Sequence, residues 1–389
     1  MRINSIRAVN FKSLIDFNLT LPKFSCLIGL NGSGKSTVLQ FLDFIAQQVR
    51  GDIKGWLSER NWRPAELRSR LTNKKNIEFE ISLLTNEGIG GIKWSATFNP
   101  ASLSCTAEHI ETPGATLDVD GGHIKIVEID LKHGSEKGSP HDENISFSYQ
   151  GSVLSQLKSE ILPQPLADFR NYFTRITSLD LLSPELLRQR TREAAGSIGL
   201  GGQHLSAFLY ELGAEKREQL LTELRKVYGQ LAQLRATSLR SGWKQIDIVE
   251  HFGKTPLHTE ARHINDGMLR LMAILAELET ESRFLLFDEI ENGINPELIE
   301  FIVNRLVNAR QQVLVTTHSP MVLNFIADSV AREGIIYIHK TASGATKALP
   351  FFSIPSLAEK LKYMGPGEAF ADTNLIALPE EIAQKEAEA

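Results

Sequence analysis

Residues 29–36 combine glycines, a lysine and a serine at a spacing that can bind phosphate. This stretch, called the phosphate loop below, reads GLNGSGKS. It fits the pattern G-x-x-x-x-G-K-[ST], in which the glycines let successive backbone N–H groups point at phosphate oxygens. Lys35 would reach the β- and γ-phosphates, and Ser36 would bind Mg²⁺. The predicted phosphate contacts are Asn31, Gly32, Ser33, Gly34, Lys35, Ser36 and Thr37.

Two carboxylates follow a short apolar run much later in the chain. The run RFLLF at residues 283–287 is followed directly by Asp288 and Glu289. These acids are expected at the carboxyl end of a strand, where ligands bind in open α/β sheets. Asp288 is predicted to bind Mg²⁺, and Glu289 is predicted to orient and polarise the attacking water as a general base. Together with the phosphate loop, the pair predicts hydrolysis of ATP.

One histidine is predicted to join these two acids. His318 follows the apolar run QQVLV and two threonines. The carboxyl ends of parallel strands meet at one sheet edge, so His318 is expected beside Asp288 and Glu289. There its ring would hydrogen-bond the γ-phosphate. The predicted catalytic residues are therefore Glu289, His318 and Lys35.

A second anion site is predicted where the helix GMLRLMAILAEL begins. This helix opens at Asn265, Asp266 and Gly267, and a helix N-terminus attracts anions. The phosphate loop of the same subunit already holds a nucleotide, so the second site should serve the ATP of another subunit. Asn265 and Gly267 are then nucleotide contacts in a head-to-tail dimer, or an assembly of such dimers, with ATP between the protomers.

Several elements must position these residues. Alternating apolar and polar residues predict strands around 3–9 and 15–21, and apolar spacing predicts a helix over 38–49. A polar loop is predicted over 134–144, and a long amphipathic helix over 214–234.

The chain as a whole is predicted to be an α/β protein in four parts. The predicted parts are 1–75, the N-terminal half of a nucleotide-binding core; 76–150, an antiparallel β meander; 151–255, a helical insertion; and 256–389, the C-terminal half of the core.

Composition limits the class of protein. A net charge of −5 and a pI near 6.1 do not favour non-specific coating of nucleic acid. The two cysteines are far apart in sequence, which predicts neither a disulfide framework nor a zinc site. The N-terminus lacks an apolar signal core, and no run of about 18 apolar residues occurs. A cytoplasmic protein with no membrane partner is expected.

Two local clusters of basic residues leave two interpretations open. Residues 60–75 are rich in arginine and lysine and lie near Trp56 and Trp62, and residues 188–192 read RQRTR. Such clusters can bind DNA, because aromatic rings stack on bases and cations neutralise phosphates. They also suit an ordinary solvated surface. The nearby sequence GGQ at 201–203 is interpreted as unrelated to nucleotide binding, since it lies too far before the acidic strand.

Four motifs together resemble a known ATPase group. GLNGSGKST, NDGMLR, LLFDEIENGINPE and VTTHSP are similar to motifs of ABC-type ATPases of the RecF, SMC and OLD group, and particularly of the short AAA-like ATPases. The resemblance implies an ABC-type ATPase head, a P-loop NTPase, with the β meander and a helical lobe inserted. It also implies ATP-dependent head dimerisation, slow hydrolysis and work on DNA or with a nuclease.

The sequence also departs from this group. Asn265 stands where the signature serine of ABC proteins is expected, and no convincing coupling glutamine follows the first helix. The stretch after His318 is too short for the nuclease domain of OLD proteins, so a nuclease is expected on a separate polypeptide. In this respect the chain resembles ATPase subunits of anti-phage defence systems such as Septu and PARIS.

Three functions follow as hypotheses. The first is a regulatory ATPase that controls a separate effector in anti-phage defence. The second is a RecF-like clamp for DNA repair or replication. The third is a scaffold that binds ATP structurally with negligible turnover.

Overall fold

The computed structural model describes residues 1–85, 91–130, 133, 135–137, 141–179, 182–194 and 196–388, with side chains described up to residue 383. The chain divides into two compact units. Unit 1 comprises Met1–Ile176, Ser329–Tyr363 and Asp372–Ala389, and unit 2 comprises Thr177–Asp328 and Met364–Ala371. Each unit is therefore built from separated stretches of the sequence.

Both units contain strands and helices. The strands are β1 (Arg2–Phe11), β2 (Leu14–Thr20), β3 (Phe24–Ile28), β4 (Ile77–Leu84), β5 (Gly91–Asn99), β6 (Ser104–Thr112), β7 (Ala115–Asp120), β8 (His123–Glu128), β9 (His141–Asn144), β10 (Ile176–Leu179), β11 (Leu231–Ser238), β12 (Lys244–Phe252), β13 (Thr255–Glu260), β14 (Phe284–Phe287), β15 (Gln312–Thr316), β16 (Ile335–Lys340) and β17 (Thr346–Pro350). The α-helices are α1 (Lys35–Arg50), α2 (Ile53–Glu59), α3 (Gln164–Thr174), α4 (Pro184–Leu187), α5 (Leu205–Glu211), α6 (Ala214–Arg225), α7 (Asp266–Leu278), α8 (Pro296–Val307), α9 (Pro320–Asn324), α10 (Asp328–Gly334), α11 (Pro355–Lys360), α12 (Pro366–Ala371) and α13 (Leu378–Glu388).

An eight-stranded antiparallel sheet dominates unit 1. Its strand order is β2-β1-β4-β5-β6-β7-β8-β9, which confirms the predicted meander. Along β4 every second residue from Ile77 to Leu83 is buried, as expected when one sheet face packs on a core. Trp94 lies at the centre of that core, its ring 4.9 Å from Phe79 and 5.0 Å from Phe173, centroid to centroid.

The polar loop predicted over 134–144 is wrong at its C-terminal end. Residues 134 and 138–140 lie outside the described residues. His141–Asn144 forms β9, paired antiparallel with β8. This polar segment forms a strand because β8 offers backbone partners, and a cross-strand pair joins His123 Nε2 to Asp142 Oδ1 at 2.8 Å.

A second sheet in unit 1 supports the phosphate loop. Its strand β3, buried along its whole length, pairs in parallel with β16, and β16 pairs antiparallel with β17. Helix α1 follows the loop and confirms the helix predicted over 38–49. Its apolar stripe includes Phe41 and Phe44, whose rings pack against Phe11.

Unit 2 contains the acidic strand predicted from RFLLF. This strand, β14, pairs in parallel with β15, and β10 lies on its other side. The strands β11, β12 and β13 form a separate antiparallel sheet. Helix α7 is buried from Met268 to Leu278, so the residues near its start are held firmly.

The long helix predicted over 214–234 is wrong in its second half. Helix α6 ends at Arg225, and β11 begins at Leu231. Leu231 is buried, the pairing register shifts between Leu231 and Gln233, and from Leu234 the buried residues alternate, with Ala236 also facing inward. This period of two is typical of a strand. Residues 151–255 therefore contain strands as well as helices, while the four predicted domain bounds stay a prediction.

The GGQ sequence takes part in local packing. Gln203 Oε1 accepts a hydrogen bond from Gly201 N at 3.1 Å, just before α5. A side chain at Gly202 would collide with Leu187.

Within the described residues, no helix has the length and apolar character needed to cross a membrane.

A buried carboxyl group lies on α7. Glu277 is 1% exposed, and burial raises its pKa from 4.5 to about 7, against the opposing effect of a hydrogen bond from the Ile198 backbone. The folded state therefore binds this proton more tightly than the unfolded state does. Stability should fall as pH rises from about 4.5 to about 7.

We expect Glu277→Gln to remove this pH dependence. Because an amide does not titrate, the unfolding free energy of the wild type relative to the variant should drop by up to about 3 kcal/mol between about pH 5 and pH 8. Urea unfolding of both proteins across this range measures the difference. A difference that stays constant with pH would contradict the assignment.

Candidate functional site

The phosphate loop in unit 1 needs glycine at two positions for steric reasons. Gly29 has a φ of 144°, and a Cβ there would collide with the carbonyl oxygen of Ile338 on β16. Gly34 has a φ of 115°, and a Cβ there would lie 2.5 Å from Thr346 Oγ1 on β17. Both ends of the loop therefore require glycine. Its freedom to adopt positive φ lets the backbone curve tightly.

Lys35 begins α1 and turns back over its own loop. Its Nζ donates hydrogen bonds to Gly29 O at 2.9 Å and to Leu30 O at 3.2 Å, and the residue is 6% exposed. This bend keeps the ammonium group at the loop, where the sequence predicted a phosphate contact. Ser36 is exposed, so its hydroxyl is accessible to a ligand.

Two polar groups inside the loop differ in their partners. Ser33 is 5% exposed, and its Oγ has no hydrogen-bond partner within the part of the chain that the structure describes. Its carbonyl oxygen, by contrast, lies 3.0 Å from Thr346 Oγ1. Thr346 also joins the N-terminal strands, because its N–H donates to Ser13 O at 2.9 Å. Sequence reasoning missed Thr346, since nothing in its spacing links it to residue 33.

A basic cavity of about 450 Å³ also lies in unit 1. Its lining includes Ser13, the serine bonded to Thr346, and the ring of Trp62, with Lys12 Nζ 3.2 Å from the centre of that ring. The other lining residues are Asn61, Glu66, Arg68, Arg70, Leu71, Lys340 and Gly344. This cavity joins an aromatic face to several cations, a combination suited to a nucleotide.

The structure corrects one part of the DNA interpretation for residues 56–75. Trp56 is 4% exposed, and its Nε1 donates to Asp43 Oδ2 at 2.6 Å. Arg60 forms a buried ion pair with the same carboxylate at 2.5 Å. Trp56 therefore cannot stack on bases, because burying its ring and satisfying its N–H stabilises the core instead.

In unit 2 the predicted acids meet one threonine. Thr316, at the end of β15 and 0% exposed, donates from Oγ1 to Asp288 Oδ1 at 2.5 Å. The same Oγ1 accepts a hydrogen bond from Glu289 N at 2.8 Å. The hydroxyl thus joins the ends of two parallel strands.

Glu289 has an unusual backbone and lies near His318. Its φ is 48°, a left-handed conformation that costs energy for a residue with a side chain. His318 Nε2 lies 3.7 Å from Glu289 Oε1, and Asn292 Nδ2 lies 3.5 Å from Glu289 Oε2. The predicted proximity of His318 to the acids is present in unit 2. Glu291, which sequence reasoning missed, positions His318 by accepting from its N–H at 2.7 Å.

The predicted second anion site begins α7. Asn265 Oδ1 caps this helix by accepting from Met268 N at 2.8 Å, so its carbonyl oxygen is used within the fold. Gly267 packs closely on the turn after β14, because a Cβ there would lie 3.4 Å from Gly293 O. Asp266, between them, is ion-paired with Arg188.

One buried cation near this turn was also missed. Arg270 on α7 is 8% exposed, and burial lowers the pKa of its guanidinium group. Its Nε has no hydrogen-bond partner among the described residues, and it would lie 2.8 Å from a Cβ on Gly293. It shares a cleft with Asp288 and Glu289. The helical period of α7 marks Arg270 as inward-facing, but sequence offers no sign of its neighbours.

Comparison with family models identifies the class of protein. The model described as "AAA domain, putative AbiEii toxin, Type IV TA system" matches residues 128–324, just over half of the chain. The chain belongs to this AAA family. A second model, described as "AAA ATPase domain", matches residues 1–160, so the phosphate loop of this AAA ATPase and its acidic strand each fall within a matched family.

Solved structures agree on the fold of this AAA ATPase. An Smc head bound to the C-winged helix domain of ScpA is 14% identical, covers 90% of this chain and 97% of that chain, and has a TM-score of 0.55. An Smc head domain with an extended coiled coil, bound to the C-terminal domain of ScpA derived from Pyrococcus furiosus, is 14% identical, covers 92% and 99%, and has a TM-score of 0.52. No curated protein matches the chain. The two Smc heads confirm the predicted fold, that of an ABC-type ATPase head.

We expect Gly34→Ala to damage the phosphate loop of this AAA ATPase much more than Gly32→Ala does. An alanine at residue 34 meets Thr346 and takes a forbidden φ, which together cost roughly 2–4 kcal/mol. At Gly32 the φ is 76°, and apart from its chain neighbours no atom of the described residues lies within 4 Å of the added Cβ, so only about 1–2 kcal/mol is expected. Thermal unfolding and calorimetric titration with ATP measure both effects. Equal losses for the two variants would contradict the steric argument.

Proposed function

We propose that this AAA ATPase is a regulatory subunit that binds and hydrolyses ATP, dimerises around it and controls a separate effector, a nuclease, in anti-phage defence. The observation that carries the proposal is the arrangement of Glu289, His318 and Asp288 at the ends of β14 and β15. A carboxylate 3.7 Å from an imidazole, next to a second carboxylate, is suited to activate water beside a phosphate.

The phosphate loop fits a triphosphate. The glycines at both ends let the loop curve tightly, so that its backbone N–H groups can point at phosphate oxygens, and the buried Ser33 hydroxyl is without a partner among the described residues. Lys35 would exchange its bonds to Gly29 O and Leu30 O for bonds to phosphate oxygens. The helix N-terminus at Lys35 adds N–H groups and a favourable dipole.

Mg²⁺, when bound, neutralises charge that develops on the phosphates during hydrolysis. Ser36, with its exposed hydroxyl, is the proposed ligand in unit 1. Asp288 is the proposed ligand in unit 2, where one of its oxygens accepts a hydrogen bond from Thr316. Their joint use by one ion stays a prediction from the sequence.

The residues of unit 2 have separate proposed roles. Glu289 would accept hydrogen bonds from the attacking water and orient it. His318, fixed by Glu291, would donate a hydrogen bond to the γ-phosphate. Asn265 and Gly267 would contact the nucleotide of a partner protomer, which makes ATP the link between two copies of the chain.

Regulation of another protein is the finer part of the proposal. The matched family is described as a putative toxin of a toxin–antitoxin system, which supports a role in defence. Both Smc heads are described as bound to domains of ScpA, which supports this fold as a surface for protein partners. The nuclease itself is inferred from the resemblance to ATPase subunits of defence systems.

We expect Glu289→Gln to retain ATP binding and to lower hydrolysis by roughly 100- to 10,000-fold, as for loss of a general base. Lys35→Ala should lose ATP binding instead. Both variants should abolish protection against phage in cells. The matched control is Glu300→Gln, which neutralises an exposed acid on α8 outside the four motifs. Full protection by both site variants would contradict the regulatory function.

Native mass spectrometry of the Glu289→Gln protein, expressed with its neighbouring genes, separates the hypotheses. With ATP and Mg²⁺ present, a complex whose mass exceeds that of its copies of this chain would reveal a bound effector. A dimer that forms only with ATP and without a partner would favour the DNA clamp. An oligomer that forms equally with and without nucleotide would favour the scaffold. The scaffold also requires that the wild type hydrolyse ATP no faster than Glu289→Gln.

A second candidate function, binding of nucleic acid, is favoured by one surface of unit 2. The segment predicted as basic, residues 188–192, runs beside the start of β12, where Lys244 N donates to Thr191 O at 2.8 Å. Arg192 then lies over the ring of Trp243 at 5.1 Å, and Lys244 Nζ lies 4.0 Å from the ring centre of Tyr210. Trp243 and Tyr210 are 41% and 40% exposed. Exposed rings paired with cations suit single-stranded nucleic acid.

We expect the double variant Arg192→Ala, Trp243→Ala to weaken binding of a labelled single-stranded DNA oligonucleotide by about tenfold or more, since one stacked base contributes about 1–3 kcal/mol. The slope of log affinity against log salt concentration should also become shallower by about one, because about one phosphate contact is lost. Fluorescence anisotropy across salt concentrations measures both. Phe252→Ala, which removes an aromatic ring that is 55% exposed, is the control. Equal affinities for wild type and double variant would exclude this surface.

A further inference from the structure

The buried hydroxyl of Thr316 contacts both acids of the site. It donates to Asp288 Oδ1 at 2.5 Å and accepts from Glu289 N at 2.8 Å. A hydroxyl has one proton to donate, and here that proton is used on a carboxylate while a lone pair is used on a backbone N–H. Few side chains can satisfy both partners from one atom.

The backbone at Glu289 needs such support. A left-handed φ of 48° persists in a residue with a side chain only where its surroundings fix it. Thr316 supplies two of these restraints, since its Oγ1 binds Glu289 N and its carbonyl oxygen accepts from Ile290 N at 3.3 Å. The direction of the Glu289 carboxylate therefore depends on residue 316.

Asp288 depends on the same atom in another way. The hydrogen bond from Thr316 to Oδ1 restricts rotation of the carboxylate, and Oδ2 is the oxygen proposed to bind a cation. A carboxylate oriented in this way binds a metal ion better than one that rotates freely, as ligands held by neighbouring groups generally do.

We propose that Thr316 is a positioning residue for hydrolysis: its hydroxyl sets the direction of the general base Glu289 and the orientation of the Mg²⁺ ligand Asp288 together. This inference rests on the proposed function, because it assumes the roles given to both acids. Thr316 acts through these neighbours and is not proposed to touch the nucleotide.

The test compares Thr316→Val with Thr316→Ser. Valine keeps the shape of the side chain and removes the hydroxyl, while serine keeps the hydroxyl and removes a methyl group. We expect Thr316→Val to lower kcat by about 10- to 100-fold and to raise the Mg²⁺ concentration needed for half-maximal rate, with the KM for ATP little changed. Thr316→Ser should restore kcat to within a few-fold of the wild type.

Thr112→Val is a matched control for the loss of a buried hydroxyl. Thr112 is 3% exposed, and its Oγ1 donates to Ala115 O at 2.7 Å and accepts from Ala115 N at 3.0 Å. It has the same pattern of bonds but lies in a β-hairpin of unit 1, outside the site. This variant should lose stability without a change in kcat or in Mg²⁺ dependence.

The possible outcomes separate the two proposals. If the wild type hydrolyses ATP no faster than Glu289→Gln, the proposed function fails. If the wild type is active and Thr316→Val retains its kcat and Mg²⁺ dependence, the positioning role is overturned while the proposed function stands. If Thr316→Ser is as inactive as Thr316→Val, the methyl group and not the hydroxyl matters, which also overturns the inference.

Discussion

The absence of a side chain at residue 34 is the constraint on which the phosphate loop depends. It allows Thr346 of β17 to approach closely enough to contact Ser33 O and to bind Ser13 through its backbone. The loop is thereby fixed between the start of the chain and a strand more than three hundred residues later. Helix α1 then begins at Lys35, and the position of every predicted phosphate contact follows from this anchoring. A flexible glycine-rich loop is made rigid by what packs against it.

In unit 2, hydrogen bonds fix the residues that follow β14 and β15. Its acids stand at the ends of short buried strands, where backbone N–H and C=O groups lose their sheet partners. Thr316 and Glu291 take over these groups and, in doing so, fix the side chains that could do chemistry. The start of α7 packs against the turn at Gly293, so the predicted anion site and the turn after Glu289 form one surface of the unit.

Local patterns in the sequence predicted most of this fold. Apolar alternation located β1, β2 and the meander, and motifs in the loop, the strand ends and one helix start supplied the residues proposed to contact the nucleotide. The errors arose where partners distant in sequence decided the outcome. Residues 231–234 lie within the predicted helix but belong to β11, which pairs with β12, and the polar residues 141–144 form a strand because β8 offers an edge. Trp56 was interpreted as a base-stacking residue, but it is buried and its N–H donates to Asp43, which also pairs with Arg60. The roles of Thr316, Thr346 and Arg270 could not be assigned from the sequence, because they depend on residues that only the folded chain brings near.

The left-handed backbone at Glu289 has a consequence for how this chain can change over time. Glycine would relax that backbone, since it adopts positive φ without penalty, but it would remove the carboxylate. Selection for a more stable protein and selection for turnover therefore act in opposite directions at a single position. Descendants that lose the need to hydrolyse ATP are expected to replace this residue early, and a glycine at 289 in a related chain would mark a copy retained for binding alone.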